Sequence, residues 1–237
     1  MSSTDSNSSR INPWSIWIPI ILVVLAVVIT YNWLFYLKQK AISDAERPPY
    51  IDRVEDDMIL TERDGREVRL NELRGKVLLV SWVYTRCPRG CSGVVTELKS
   101  LMEELPKDEA IHLVSFTLDP DDTPAMMQAF ARQVGVADDA PWWFVNGQPE
   151  KVNDLMVRKL HFRPTQIIPE ADRLSEFDKY AHDLRVALVD HKGHVRRLED
   201  VVNADPESAA YWRKQLKEDL AAVLKEREED LKKENGR

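Results

Sequence analysis

The 237-residue chain has only two cysteines, Cys87 and Cys91. A pair four residues apart is not the distributed disulfide framework of a small secreted fold. It is the pattern of catalytic, redox or metal chemistry. Clustered positive charge is also missing: the formal net charge is −7, and no stripe of Lys and Arg runs along any segment. Nucleic acids are therefore excluded as partners, because binding them needs clustered cations that replace counterions. There is no GxxxxGK[ST] or GxGxxG phosphate loop, no HExxH zinc helix and no internal repeat.

Long apolar runs are absent with one exception. Residues 16–36 read IWIPIILVVLAVVITYNWLFY without a charge, and a helix needs about 20 such residues to cross the hydrocarbon core. Trp14, Trp17, Tyr31, Trp33 and Tyr36 lie toward its ends, as interfacial aromatics do. No small-x-small cleavage site follows, so an uncleaved, single-pass anchor is expected. The leader carries Asp5 and a single arginine, a poor mitochondrial transit peptide, and a bacterial inner membrane is the simplest location. Arg10 stands against Lys38, Lys40 and Arg47 across the span, a balance that leans toward a cytoplasmic C-terminal side. The expected partition is an N-terminal tail over 1–15, the anchor over 16–36, a linker over 37–55, one domain over 56–202 and a charged C-terminal helix over 203–237.

Within the domain, Asp64-Gly65 marks a hairpin between strands at 58–61 and 67–70. Residues 77–84 form a continuous apolar run, the signature of a fully buried strand. A helix is expected over 92–105, a second buried strand over 112–118, and a helix opened by Thr123 and Pro124. A strand over 142–145, a helix over 149–160, a long loop over 161–182 and a hairpin around Lys192-Gly193 complete the pattern. Strands alternating with helices and closed by a hairpin predict an α/β fold, a mixed sheet flanked by helices. A cysteine pair where the first buried central strand enters a helix is the thioredoxin layout. The helix from Asp205 is expected to pack through Trp212, Leu216, Leu220 and Val223, then to fray into a solvated end. Asp119 and Asp122 read as caps of the helix that follows them, His112 as structural, His161 as a helix-end residue, and His191 and His194 as solvated.

Cys87-Pro88-Arg89-Gly90-Cys91 is where the chemistry lies. An i, i+4 spacing puts two sulfurs on one face of a helical turn. The partial positive charge of a helix N-terminus, with Arg86 and Arg89 beside it, favours thiolate, the form that binds metals and attacks disulfides. Two thiolates suit Cu(I), and an added imidazole makes a site that also holds Cu(II). Structural zinc wants four protein ligands. The same pair supports thiol–disulfide exchange, with Cys87 attacking and Cys91 resolving.

The stretch LLVSWVYTRCPRGCSGVVTELKSL resembles the Cys-Pro-x-x-Cys signature of the Sco/SenC family of copper chaperones. TLDPDDTP at 117–124 is similar to that family's Asp-Pro-x-x-Asp-Thr-Pro segment, shortened by one residue, and HDLRVALVDHKGHV at 182–195 to its histidine-led hairpin. The resemblance implies a thioredoxin-like fold, a copper ion (Cu(I) and/or Cu(II)) held by Cys87, Cys91 and His182, and a domain facing the periplasm or outside. It implies a chaperone for the CuA centre, with the copper subunit of cytochrome c oxidase or another copper or thiol protein as partner. The alternative is a thiol-disulfide oxidoreductase in which Cys87 and Cys91 are catalytic. Arg89 replaces the family's acidic residue, Ser92 a proline, and Ala181 the aspartate before the histidine.

Overall fold

The computed structural model describes residues 14–45, 47–55, 57–87, 91–105, 109–202 and 205–236. The chain divides into two compact units, Met1–Arg47 and Pro48–Arg237. Among its described residues the first holds one helix, α1 (Trp14–Ala45), whose 32 residues run on past the expected apolar stretch. Its segment Trp17–Lys38 has a mean hydropathy of 2.4 and none of it is buried by other parts of the protein. Among the described residues it is the one helix long and apolar enough to cross a membrane.

The second unit is built on an eight-stranded mixed sheet. Its strands are β1 (Asp52–Arg53), β2 (Ile59–Glu62), β3 (Glu67–Arg69), β4 (Val77–Val83), β5 (Ile111–Thr117), β6 (Trp142–Asn146), β9 (Val186–Val189) and β10 (His194–Glu199), in the order β1-β10-β9-β4-β5-β6-β2-β3. β4, β5 and β6 are parallel, while β9 runs antiparallel to β4 and β2 antiparallel to β6. The helices are α2 (Cys91–Glu104), α3 (Pro124–Gln133), α4 (Pro149–Asp154) and α5 (Pro206–Asn235).

Alternation along each central strand feeds two cores. Val77, Leu79 and Val83 point to one face, where Val94, Leu98, Met127, Phe130, Leu216, Leu220 and Val223 cover them. Val80 and Trp82 point to the other, against Leu60, Leu73, Val152, Leu155 and Met156. Covering on both faces explains why β4 reads as one unbroken apolar run. Ser81 and Ser115 share a buried hydrogen bond at 3.0 Å, and the indole of Trp142 donates to Ser115 at 3.0 Å, so the polar atoms in this layer are satisfied.

The turns form where their residues require them. Gly65 and Gly193 close the two expected hairpins with φ of +87° and +88°, a region open to glycine at no steric cost. Thr123 caps α3 by accepting from the Met126 N–H. The structure differs from the sequence reading in several places. Residues 161–182 are not a plain loop but contain a ribbon of two short strands, β7 (Gln166–Ile167) and β8 (Tyr180–Ala181). The helix begun at Pro149 widens to a π-turn over Leu155–Lys159 and ends at His161, a non-glycine residue with φ +58° that bonds Asp52 at 3.1 Å. His191 and His194 are not solvated: their side chains are 10% and 25% exposed, beside Asp230 and Asp190. Nor does α5 fray after Lys225. It continues to Asn235, with Glu226 bound to Arg196 and Asp230 to Lys192.

Candidate functional site

The site begins at the carboxyl end of β4, where Tyr84, Thr85, Arg86 and Cys87 follow the last ladder residue. The Cys87 N–H donates to the Tyr84 carbonyl at 3.0 Å, turning the chain out of the sheet. Cys87 itself is half-buried. Asp122, fully buried, fixes the residue two places before Cys87: its carboxylate accepts from the Thr85 N–H at 3.2 Å and from the hydroxyls of Thr85 and Thr117. Asp119 accepts from the Arg86 guanidinium at 2.6 Å. Neither aspartate caps α3; both hold the shoulder of the cysteine loop. Much of the positive charge expected of Arg86 beside the cysteines is therefore offset by Asp119.

Three contacts lay the 161–182 segment on this shoulder. The Tyr84 hydroxyl donates to the Phe177 carbonyl, the Tyr84 and Tyr180 rings meet edge to face at 5.9 Å, and the Arg86 guanidinium lies 5.0 Å over the Phe177 ring. Burial, reinforced by the negative charge of Asp119, pushes the Tyr84 hydroxyl up to about 12. It thus remains a hydrogen-bond donor throughout the physiological range.

His182 stands two residues beyond Tyr180. Its Nδ1 lies 3.0 Å from the backbone carbonyl of Asp183. A carbonyl only accepts, so Nδ1 carries a proton. Asp183 anchors the same turn by accepting from the Arg163 N–H at 2.8 Å and from the Arg185 guanidinium. Burial alone would raise the Asp183 carboxyl, but the hydrogen bonds from Arg185 and from two backbone N–H groups outweigh it and hold the carboxyl below its usual range.

His182, Asp183, Asp200 and Val202 line a cleft of about 320 Å³. Val202 also forms the wall beside the cysteine helix: a Cβ on Gly93, third residue of α2, would stand 3.4 Å from its Cγ1. The His182 cleft and the first turn of α2 therefore share a residue. Cys91 opens α2. Its side chain, like Pro88, Arg89 and Gly90, lies outside the described residues. Among the described residues no three His, Cys, Asp or Glu side chains form a metal-holding group. The other expected structural histidine, His112, sits edge-on to Trp143 at 5.1 Å; burial and the charge of Lys76 push it down to about 4, so it is neutral at pH 7.

A model of the SCO1/SenC family matches residues 49–217. The chain belongs to the SCO1/SenC family. The SCO1 protein homolog of Bacillus subtilis (strain 168) is 29% identical over 87 residues, 36% of this chain; that match spans only 45% of the relative's length. BsSco, described as a member of the Sco family of cytochrome c oxidase assembly proteins in which a disulfide switch was identified, is 20% identical in sequence. Its structure superposes with a TM-score of 0.55, over 73% of this chain and 97% of that one. Bradyrhizobium japonicum ScoI with copper bound is 21% identical, with a TM-score of 0.52 over 68% and 98%. These likenesses establish the thioredoxin-like fold. The segment expected as a loop, residues 161–182, is the one whose Phe177 and Tyr180 lie on the cysteine shoulder. Its aromatic spacing, Phe177 and Tyr180 opposite Tyr84, was the available signal.

Proposed function

We propose that this protein is a membrane-anchored copper chaperone that holds a copper ion with Cys87, Cys91 and His182 and passes it to the CuA centre of cytochrome c oxidase. The observation that supports the reading is the docking of residues 161–182 on the carboxyl end of β4, the end from which the cysteine loop leaves, with His182 two residues beyond Tyr180. The donor set fits the metal. Sulfur and imidazole suit both copper oxidation states, and the Nδ1–H bond to the Asp183 carbonyl orients the His182 ring, as an ordered second contact does for metal-bound histidines.

Copper is cargo here, delivered as partner thiolates replace Cys87 and Cys91 at the metal. The copper-bound state of Bradyrhizobium japonicum ScoI and the assembly role given for BsSco support the same reading. Family membership favours a bacterial inner membrane with the domain on the periplasmic side.

The placement of Cys91 at the amino end of a 14-residue helix favours thiolate and supports a second reading, thiol–disulfide exchange. The Cys87 thiolate would attack a partner disulfide and release one partner thiolate. Cys91 would then displace the other, leaving the partner reduced and a Cys87–Cys91 disulfide.

Anaerobic Cu(I) titration of the reduced full chain in detergent, against a competing chelator, separates the two. One tight equivalent is expected, lost in Cys87→Ser and in Cys91→Ser and weakened at least about tenfold in His182→Ala. Absence of tight binding overturns the chaperone reading, and reduction of a disulfide substrate by the same protein then supports exchange.

A further inference from the structure

Two buried polar groups away from the cysteines have no partner. Trp82, on β4, is 2% exposed, and its Nε1–H finds no hydrogen-bond acceptor among the described residues. The hydroxyl of Thr165, one residue before β7, is likewise buried and unpartnered among them. Folded proteins leave few such groups, and each calls for a partner that the chain does not supply. Both residues line one cleft of about 250 Å³, which shares no lining residue with the cleft at His182. Pro120, Pro149, Val152 and Tyr180 give it apolar and aromatic walls, and no lining side chain carries a charge. Thr117 and Asn146, also on the wall, are already engaged: the Thr117 hydroxyl donates to Asp122, and the Asn146 amide donates to the carbonyls of Pro120 and Asp122.

We propose that this cleft is a binding site for a small uncharged ring compound bearing a carbonyl oxygen, which pairs with the Trp82 indole and the Thr165 hydroxyl. Three features select that class. An indole N–H donates and never accepts, so the ligand atom facing it is an acceptor and a cation is turned away. The Asp122 carboxylate is bonded to Thr117 on the wall and no cation lines the cleft, so an anion is repelled and a neutral acceptor is preferred. The walls carry the rings of Tyr180, Pro120 and Pro149, which suit a ring better than a chain. Drug-sized ligands need about 300 Å³ or more, so the occupant is smaller. Apolar walls with a few convergent polar groups are the usual form of a small-molecule site. The proposal is independent of the copper reading, because none of these residues is a proposed metal ligand.

The probe is nicotinamide, a planar uncharged ring with a carboxamide, added to the full chain in detergent with isotope-labelled tryptophan. The indole N–H resonance of Trp82 is identified by its loss in Trp82→Phe or, should that variant not fold, by elimination among the seven tryptophans. A saturable downfield shift of that resonance is expected as the carbonyl takes up the N–H. Thr165→Val keeps the side-chain shape without the hydroxyl and should weaken binding about tenfold, whereas Thr165→Ser should bind as the wild type does. Nicotinate, the same ring with a carboxylate, should bind at least about tenfold more weakly than nicotinamide. A Trp82 resonance unmoved up to about 50 mM nicotinamide leaves ordered water as the partner of both groups and overturns the proposal. So does undiminished binding to Thr165→Val, binding to Thr165→Ser no better than to Thr165→Val, or nicotinate binding as tightly as nicotinamide.

Discussion

Asp122 joins the ends of two parallel strands. Its carboxylate receives Thr85 from the end of β4 and Thr117 from the end of β5, so the residue two places before Cys87 is fixed by a group 37 positions away. Asp122→Ala leaves these buried donors without an acceptor and is expected to cost about 3 kcal/mol. It should also weaken Cu(I) binding, and thermal unfolding and chelator competition on the same sample report both. From sequence alone an aspartate just before a helix reads as its cap, because only local partners are visible there. Arg196 is a second case. A β-bulge between Val195 and Arg197 turns it inward, where it is fully buried and bound to Asp190, Glu226 and the Pro48 carbonyl, 4.1 Å over the Tyr50 ring. Arg196→Met takes the guanidinium away from the buried Asp190 and the half-buried Glu226 and should cost about 3 kcal/mol, read as a shift in the urea midpoint without change in slope.

At the scale of elements, β10 and α5 meet through Arg197, which reaches Asp219 at 2.8 Å and Glu199 at 3.4 Å. Burial pushes the Glu199 carboxyl from 4.5 up to about 7, with Arg197 opposing and Asp219 adding to the rise. A carboxyl whose folded pKa lies above its unfolded value holds its proton more tightly in the folded chain. Its contribution is therefore complete below the unfolded value and is lost as pH rises through about 7. Stability should fall by about 2–3 kcal/mol between about pH 5 and about pH 8, and Glu199→Gln should flatten that slope in urea titrations at the two pH values. The strands and hairpins of this fold were legible in the sequence because their signals are local: apolar runs in β4 and β5, and glycine turns at Gly65 and Gly193. The β7–β8 ribbon was not, since two-residue strands carry no periodicity. The charged end of α5 was not either, because the partners that keep it helical, Arg196 and Lys192, lie on a distant hairpin.

At the scale of the whole molecule, a helix with an apolar span over Trp17–Lys38 and a folded domain answer to different solvents. The full chain should remain with membranes through an alkaline carbonate wash and enter solution only with detergent, whereas residues 48–237 should appear in the aqueous fraction; a truncated chain that still sediments with membranes would contradict the anchor. The start of a helix at Cys91 was legible in the sequence, but the docking of the segment before His182 on the end of β4 was not, because it depends on Tyr84, Phe177 and Tyr180 meeting across the fold. On the copper-site proposal, that arrangement makes the His182 segment a latch. A ligand binding only the closed state adds stability with its concentration, about 4 kcal/mol at a thousandfold excess over Kd. Copper loading should therefore slow tryptic cleavage after Arg173 and Lys179, and a partner that strips the metal should find the latch opening as the ion departs, so that emptying the site and unlocking it become one event.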